Sequence, residues 1–287
     1  MDELSVVLKA RALVNKVAPC TIPVPIEAYA AELGALLHMD ESLGPEEPGW
    51  SFPNNGRYHI CINANDRKER QRFTACHEIA HIVLGLPSEH DSAPWWSYAK
   101  RSANEILCDV FAAELLLPYR PFKPLVDRSE YSLAAVDLLA AQFEASTMAT
   151  GSRFASMARC PCAFILSEQG KVRYSSRSTS LRDARGWIPP QMDIPTGSAS
   201  GRRRAGEAGA GPEEVEADIW FENWDREGSL LEDARHLGKW DQTVTLLWFD
   251  GDDVPPRRAE RRKREEEEYG LAELDGVLAW PGKKRRR

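Results

Sequence analysis

The run Phe73-Thr74-Ala75-Cys76-His77-Glu78-Ile79-Ala80-His81-Ile82-Val83-Leu84-Gly85 holds the residues whose types and spacing could do chemistry. Its His77-Glu78-Ile79-Ala80-His81 core puts two imidazoles one helical turn apart, where they can grip one metal ion while the intervening Glu78 faces the same side. The chemistry is metal-assisted hydrolysis of a peptide bond. Glu78 is then the general base, taking a proton from the attacking water and passing it to the leaving amine. A further donor for the tetrahedral oxyanion is expected, and Tyr98, Tyr119, Tyr131, His59 and His90 are all candidates among which the sequence does not choose.

Two histidines leave a zinc ion under-coordinated, because a catalytic site normally has three protein ligands and an open position. A metzincin-like pattern would place Gly at 84 and His at 87, but the chain has Leu84 and Pro87. His90 competes as a third ligand from the loop that follows. The stronger candidate lies in the helix predicted from Asn104, which carries Glu105, Asp109 and Glu114. Nine residues at about 100° each put Glu105 and Glu114 on opposite sides of that helix. Asp109, four residues from Glu105, shares its face, as do Cys108 and Ala112. We therefore take Glu105 as the ligand and Asp109 as the acid that holds the free ring nitrogen of a ligating histidine, with Glu114 facing solvent.

Other elements must position these groups. Apolar spacing predicts a helix over residues 3–17, a break at Cys20–Pro25 and a second helix over Ile26–Leu36. Asp40–Gly56 reads as a loop ending in a hairpin-like turn at Asn54-Asn55-Gly56, and Arg57–Asn63 as a strand. Asp66 and Glu69 form a capping-box-like start for the helix bearing the histidines, which Gly85 and Pro87 end. A polar, aromatic loop with Trp95 and Trp96 precedes a helix from Asn104 to Leu117, stopped by Pro118. Leu133–Phe143 and Met148–Met157 make a small helical unit. Cys162–Ser167 and Lys171–Tyr174 flank a turn as a β-hairpin, and Val244–Phe249 is strand-like. The expected organisation is a first domain over 1–127, the helical unit over 128–159, a β-containing domain over 160–252 with a flexible linker near 197–214, and a charged, partly disordered tail over 253–287.

At 287 residues with a net charge of −7, the chain has a sizeable core and no general affinity for nucleic acid. Arg202-Arg203-Arg204, Lys283–Arg287 and the tail from Arg257 read as solvated segments. The first residues, interrupted by Lys9, Arg11 and Lys16, lack the apolar core of a signal peptide, and no stretch approaches the roughly 20 apolar residues of a membrane span. The expected location is the cytoplasm. The six cysteines, Cys160-Pro161-Cys162 included, are expected to be reduced structural thiols, and the later tryptophans to be core or interface residues.

Asn63-Ala64-Asn65, Arg70-Gln71-Arg72-Phe73-Thr74, the HEIAH core and the stretch from Glu105 through Cys108-Asp109 and Phe111 to Pro118 together resemble the ImmA/IrrE family of zincin-like metallopeptidases, over residues 20–120. Where relatives often have Gly before the second histidine, this chain has Ala80. The resemblance implies an α+β fold with a zincin-like core, a helix-turn-helix-like unit and a sensor-like last domain. It implies zinc, with manganese as the alternative metal, held by His77, His81 and Glu105, and a catalytic Glu78. It also implies a cytoplasmic endopeptidase whose partner is a helix-turn-helix transcriptional repressor, in a stress or mobile-element response. A regulatory protein that sequesters a repressor or toxin without cutting it is the rival reading. Direct DNA binding by residues 133–157 is the least favoured.

Overall fold

A computed structural model describes residues 1–17, 21–87, 102–251 and 255–257. Helix α1 (Glu3–Lys16) is capped by Asp2, whose carboxylate accepts from the Ser5 amide at 2.8 Å. Helix α2 (Ile26–Glu32) is shorter than the expected Ile26–Leu36, because Gly34 turns the chain at φ 66° and Leu36 already opens a strand. That strand, β1 (Leu36–Asp40), runs parallel to β3 (Arg57–Asn63). Part of the expected loop is strand β2 (Gly49–Asn54), antiparallel to β3, so the sheet order is β1-β3-β2. The hairpin turn falls where expected: Asn55 (φ 48°) and Gly56 (φ 76°) supply the two positive φ angles a two-residue connection needs. Asn63 pins the remaining loop by donating from its amide to the carbonyls of Gly44 at 2.8 Å and Glu47 at 3.0 Å.

Helix α3 (Lys68–Leu84) carries the HEIAH residues. The expected capping box is absent: Arg67 is the cap without a side-chain bond, and Asp66 pairs instead with Arg70 at 3.2 Å. Gln71 takes over the turn, donating to the carbonyls of Asn63, Ala64 and Asp66. Gly85, left-handed at φ 66°, ends the helix as expected. Helix α4 (Ala103–Leu116) begins at Ser102 and packs along α3. Helix α5 (Tyr119–Val126) follows Pro118 in a stretch given no element from the sequence; Pro121 sits in its first turn, where its missing N–H costs nothing. Helices α6 (Leu133–Phe143) and α7 (Thr147–Met157) are each capped by a serine, Ser132 and Ser146. Glu144, left-handed between them, ion-pairs with Lys68 and Arg72 of α3, and the Lys68 hydrogen bond holds its carboxyl below the usual range.

Beyond these helices lies a five-stranded antiparallel sheet, ordered β5-β4-β8-β7-β6: β4 (Cys162–Glu168), β5 (Lys171–Arg177), β6 (Glu213–Glu216), β7 (Ser229–Leu237) and β8 (Gln242–Trp248). Side chains alternate across a strand, so β4 and β8 serve two cores. Cys162, Phe164 and Leu166, opposite Trp248, Leu246 and Val244, join the core built from α1 to α7 and the first sheet. Ala163, Ile165 and Leu247 face a second core with Trp220, Phe221, Trp224 and Phe249. Two short helices, α8 (Thr179–Asp183) and α9 (Ala199–Arg204), connect these strands. Residues 197–214, expected to be a flexible linker, contain α9, whose start is buried. The fully buried Glu232 carboxylate accepts from the amides of Ala199 (3.1 Å) and Ser200 (2.7 Å), the Ser200 hydroxyl (2.5 Å) and the Trp220 indole (3.1 Å). Lacking apolar periodicity, α9 is anchored through this distant acid.

Cys61, Cys76, Cys108, Cys160 and Cys162 form no disulfide among the described residues, and all but Cys61 are buried. Burial pushes the Cys76 thiol up to about 12. No helix among the described residues is long and apolar enough to cross a membrane. Cys20, the loop with Trp95 and Trp96, and the charged tail beyond Arg257 lie outside the described residues.

Candidate metal centre

Helices α3 and α4 bring five buried polar side chains together: His77, Glu78, His81, Glu105 and Asp109, each no more than 9 % exposed. The donor atoms of His77, Glu78 and His81 all lie within 4.8 Å of one another. From α4, Glu105 reaches both rings, with Oε2 at 3.0 Å from His77 Nε2 and Oε1 at 3.4 Å from His81 Nε2. The two Nε2 atoms stand 3.0 Å apart.

The outer ring nitrogens decide what the inner ones present. His77 Nδ1 donates to Asp109 Oδ1 at 3.0 Å, and His81 Nδ1 donates to the Leu86 carbonyl at 3.2 Å. Carboxylate and carbonyl oxygens only accept here, so each neutral ring carries its proton outward and turns a lone pair inward. Two nitrogen lone pairs and a carboxylate facing one another repel unless a positive charge sits among them. This cluster is geometrically consistent with a zinc site. The protein alone shows the same preference. Burial works against a charged His77, but hydrogen bonds to Asp109 and Glu105 and the charges of Asp109 and Glu78 outweigh it, raising its pKa to about 9. His81 is pushed down, first by burial and then by the neighbouring His77 charge.

The Gly85 turn makes part of this geometry. It folds Leu86 back so that its amide donates to the His81 carbonyl at 3.2 Å while its own carbonyl receives the His81 ring. Cys108 Sγ lies 3.6 Å from the same ring nitrogen. Glu78 is held from the other side, where the Ser51 hydroxyl of β2 donates to its Oε2 at 2.7 Å. Neither Leu86 nor Ser51 stood out in the sequence, since one acts through its backbone and the other sits in a segment read as loop.

Glu114 corrects an expectation: it is opposite Glu105 on α4 but fully buried rather than facing solvent. It accepts from Arg11 Nε and the Tyr119 amide, both at 3.1 Å, and pairs with Arg153 of α7. Of the oxyanion candidates, Tyr119 lies under the Arg11 guanidinium, 4.6 Å from its ring centre, beyond the far end of α4. Tyr131 packs on Phe154 and Trp248, where burial raises its hydroxyl pKa. His59 pairs with His38 on the open face of the first sheet, 3.0 Å between ring nitrogens. The structure brings none of these three into the cluster, and Tyr98 and His90 lie outside the described residues.

The family described as the IrrE N-terminal-like domain, a peptidase family, matches residues 39–155. The chain is 32 % identical over 117 residues to the radiation response metalloprotease IrrE of Deinococcus radiodurans, a match covering 39 % of this chain and 35 % of that protein. The matched stretch thus spans about a third of the relative's length. A solved structure described as a Mycobacterium tuberculosis transcriptional regulator shares the fold over 86 % of this chain and 76 % of its own, with a TM-score of 0.58 and 15 % identity. The family match and the IrrE relative place an IrrE/ImmA-like peptidase domain over residues 39–155, whose HExxH residues His77, Glu78 and His81 form a cluster that could hold a metal ion.

Proposed function

We propose that the chain is a zinc-dependent endopeptidase, with manganese as the alternative metal, acting on a helix-turn-helix transcriptional repressor. The observation that carries this reading is the convergence of two imidazole Nε2 atoms and the Glu105 carboxylate, with Asp109 and the Leu86 carbonyl fixing the rings from behind. His77, His81 and Glu105 would hold the ion, which when bound supplies Lewis-acid polarisation of the scissile carbonyl and acidifies water. Glu78 takes the proton of the attacking water and returns it to the departing amine. Asp109 keeps the His77 proton on Nδ1 and its ring in place.

Strand β2 lies at the edge of its sheet among the described residues and passes over Glu78 at Ser51. An extended peptide adding to that edge would run past the general base. The regulatory setting rests on the name of the radiation-response relative, and the α6–α7 pair is taken as the helix-turn-helix-like unit of that arrangement. The rival, sequestration without cutting, leaves a buried, hydrogen-bonded Glu78 without a task.

The test incubates the chain and Glu78→Gln with purified helix-turn-helix repressors from the same organism, with and without a chelator, and sequences the fragments. Cleavage by the parent, lost with chelator and in the variant while zinc binding persists, is expected. Undiminished cleavage by Glu78→Gln rejects the mechanism. A stable complex with no new N-terminus favours sequestration.

A further inference from the structure

Ser51 and Gly49 carry the approach of strand β2 to helix α3. Gly49 and Ser51 point to one face of β2, opposite Ile62 and Ile60 of β3. Two strand residues advance about 6.8 Å, and the four helical residues from Thr74 to Glu78 about 6 Å. The two repeats run in step. Gly49 lies against Thr74 and Ser51 against Glu78. A Cβ on Gly49 would come within 2.7 Å of the Thr74 methyl and 2.6 Å of the Cys61 carbonyl. Only a glycine lets the strand lie close enough for the serine to reach.

We propose that Ser51 is a positioning residue for Glu78, and that Gly49 is the contact that sets its reach. This rests on the peptidase reading above. Glu78 is 3 % exposed, and a buried carboxylate without a partner is costly and turns toward whatever donor it can find. Its nearest alternatives are the imidazoles it serves. A lysine or arginine would hold it but would also quench its basicity. A neutral hydroxyl on Oε2 fixes the rotamer and leaves the second carboxylate oxygen to take the proton.

The experiment uses the full, zinc-loaded chain with Ser51→Ala, Ser51→Thr and Gly49→Ala, and two readouts. In crystal structures, Ser51→Ala should keep the backbone while the Glu78 carboxylate leaves its parent position, and Ser51→Thr should keep it there. With a helix-turn-helix repressor that the parent cleaves as substrate, Ser51→Ala should lower kcat about 10- to 100-fold at an unchanged KM and zinc stoichiometry. Ser51→Thr should restore most of the rate, and Gly49→Ala should reproduce the loss. A Glu78 carboxylate unmoved in Ser51→Ala, or a parental kcat in that variant, overturns the proposal. If the parent cleaves nothing, the peptidase reading fails, while the position of Glu78 in Ser51→Ala still decides the role of Ser51.

Discussion

Replacing Glu114 by glutamine tests the packing that holds α4, and through it Glu105 and Asp109. Glu114 joins four segments: its own helix, Arg11 of α1, the Tyr119 amide at the start of α5, and Arg153 of α7. The side chain of Arg11 is 40 % exposed, so it can turn to water and its share is within about 1 kcal/mol. Arg153 cannot. Its side chain is 15 % exposed, and burial, partly offset by Glu114, already lowers its pKa. Glutamine keeps the shape and one acceptor but leaves that guanidinium without a counter-charge, at a cost of about 3–5 kcal/mol. For a chain approaching this size, that corresponds to a fall in Tm of roughly 6–20 °C. Thermal and urea unfolding followed by circular dichroism, in excess chelator to remove any metal contribution, would measure it. The double variant Glu114→Leu/Arg153→Met should recover much of the loss, because it removes both charges together. A single variant within about 1 kcal/mol of the parent would refute this account of the network.

Two further outcomes follow from the same geometry. Asp109→Asn should weaken zinc binding by roughly 10- to 100-fold in a chelator competition, since the amide no longer holds the His77 Nδ1 proton as a charged acceptor; unchanged affinity would remove Asp109 from the site. Gly151→Ala should destabilise the chain by about 1–3 kcal/mol, because the new methyl would lie 2.3 Å from the Phe164 ring and must push α7 off β4, and an unaltered urea midpoint would count against that.

The helices with strong apolar periodicity, α1, α3, α4, α6 and α7, were legible in the sequence within a residue or two, as were β3, β4 and β8. Periodicity also placed Glu105 and Asp109 on one face of α4, and the structure sets both against His77. The same periodicity put Glu114 on the opposite side correctly, yet that side meets α1 and α7 rather than water. A helix angle says which residues part company, and nothing about what waits on each side. Strands β1 and β2 were hidden for different reasons. Leu36 and Met39 are exposed, so β1 has no alternation, and the Gly and Pro of β2 are tolerated because the strand lies on an edge. Helices α5 and α9 were masked by prolines and by a Gly-Ala-Arg composition. The Asp66 capping box failed because Arg70 offered that acid an ion pair.

Strand β4 has a consequence for how such a chain can vary over evolutionary time. Its odd and even positions belong to different interiors, Phe164 with the helices and Ile165 with Trp220. Inserting or deleting one residue within β4 would turn each interior's side chains toward the other at a single stroke. No single compensating substitution could mend that. The Gln169-Gly170 turn beyond it touches neither interior. Length changes among descendants of this sequence should therefore accumulate at that turn and be absent from the strand beside it.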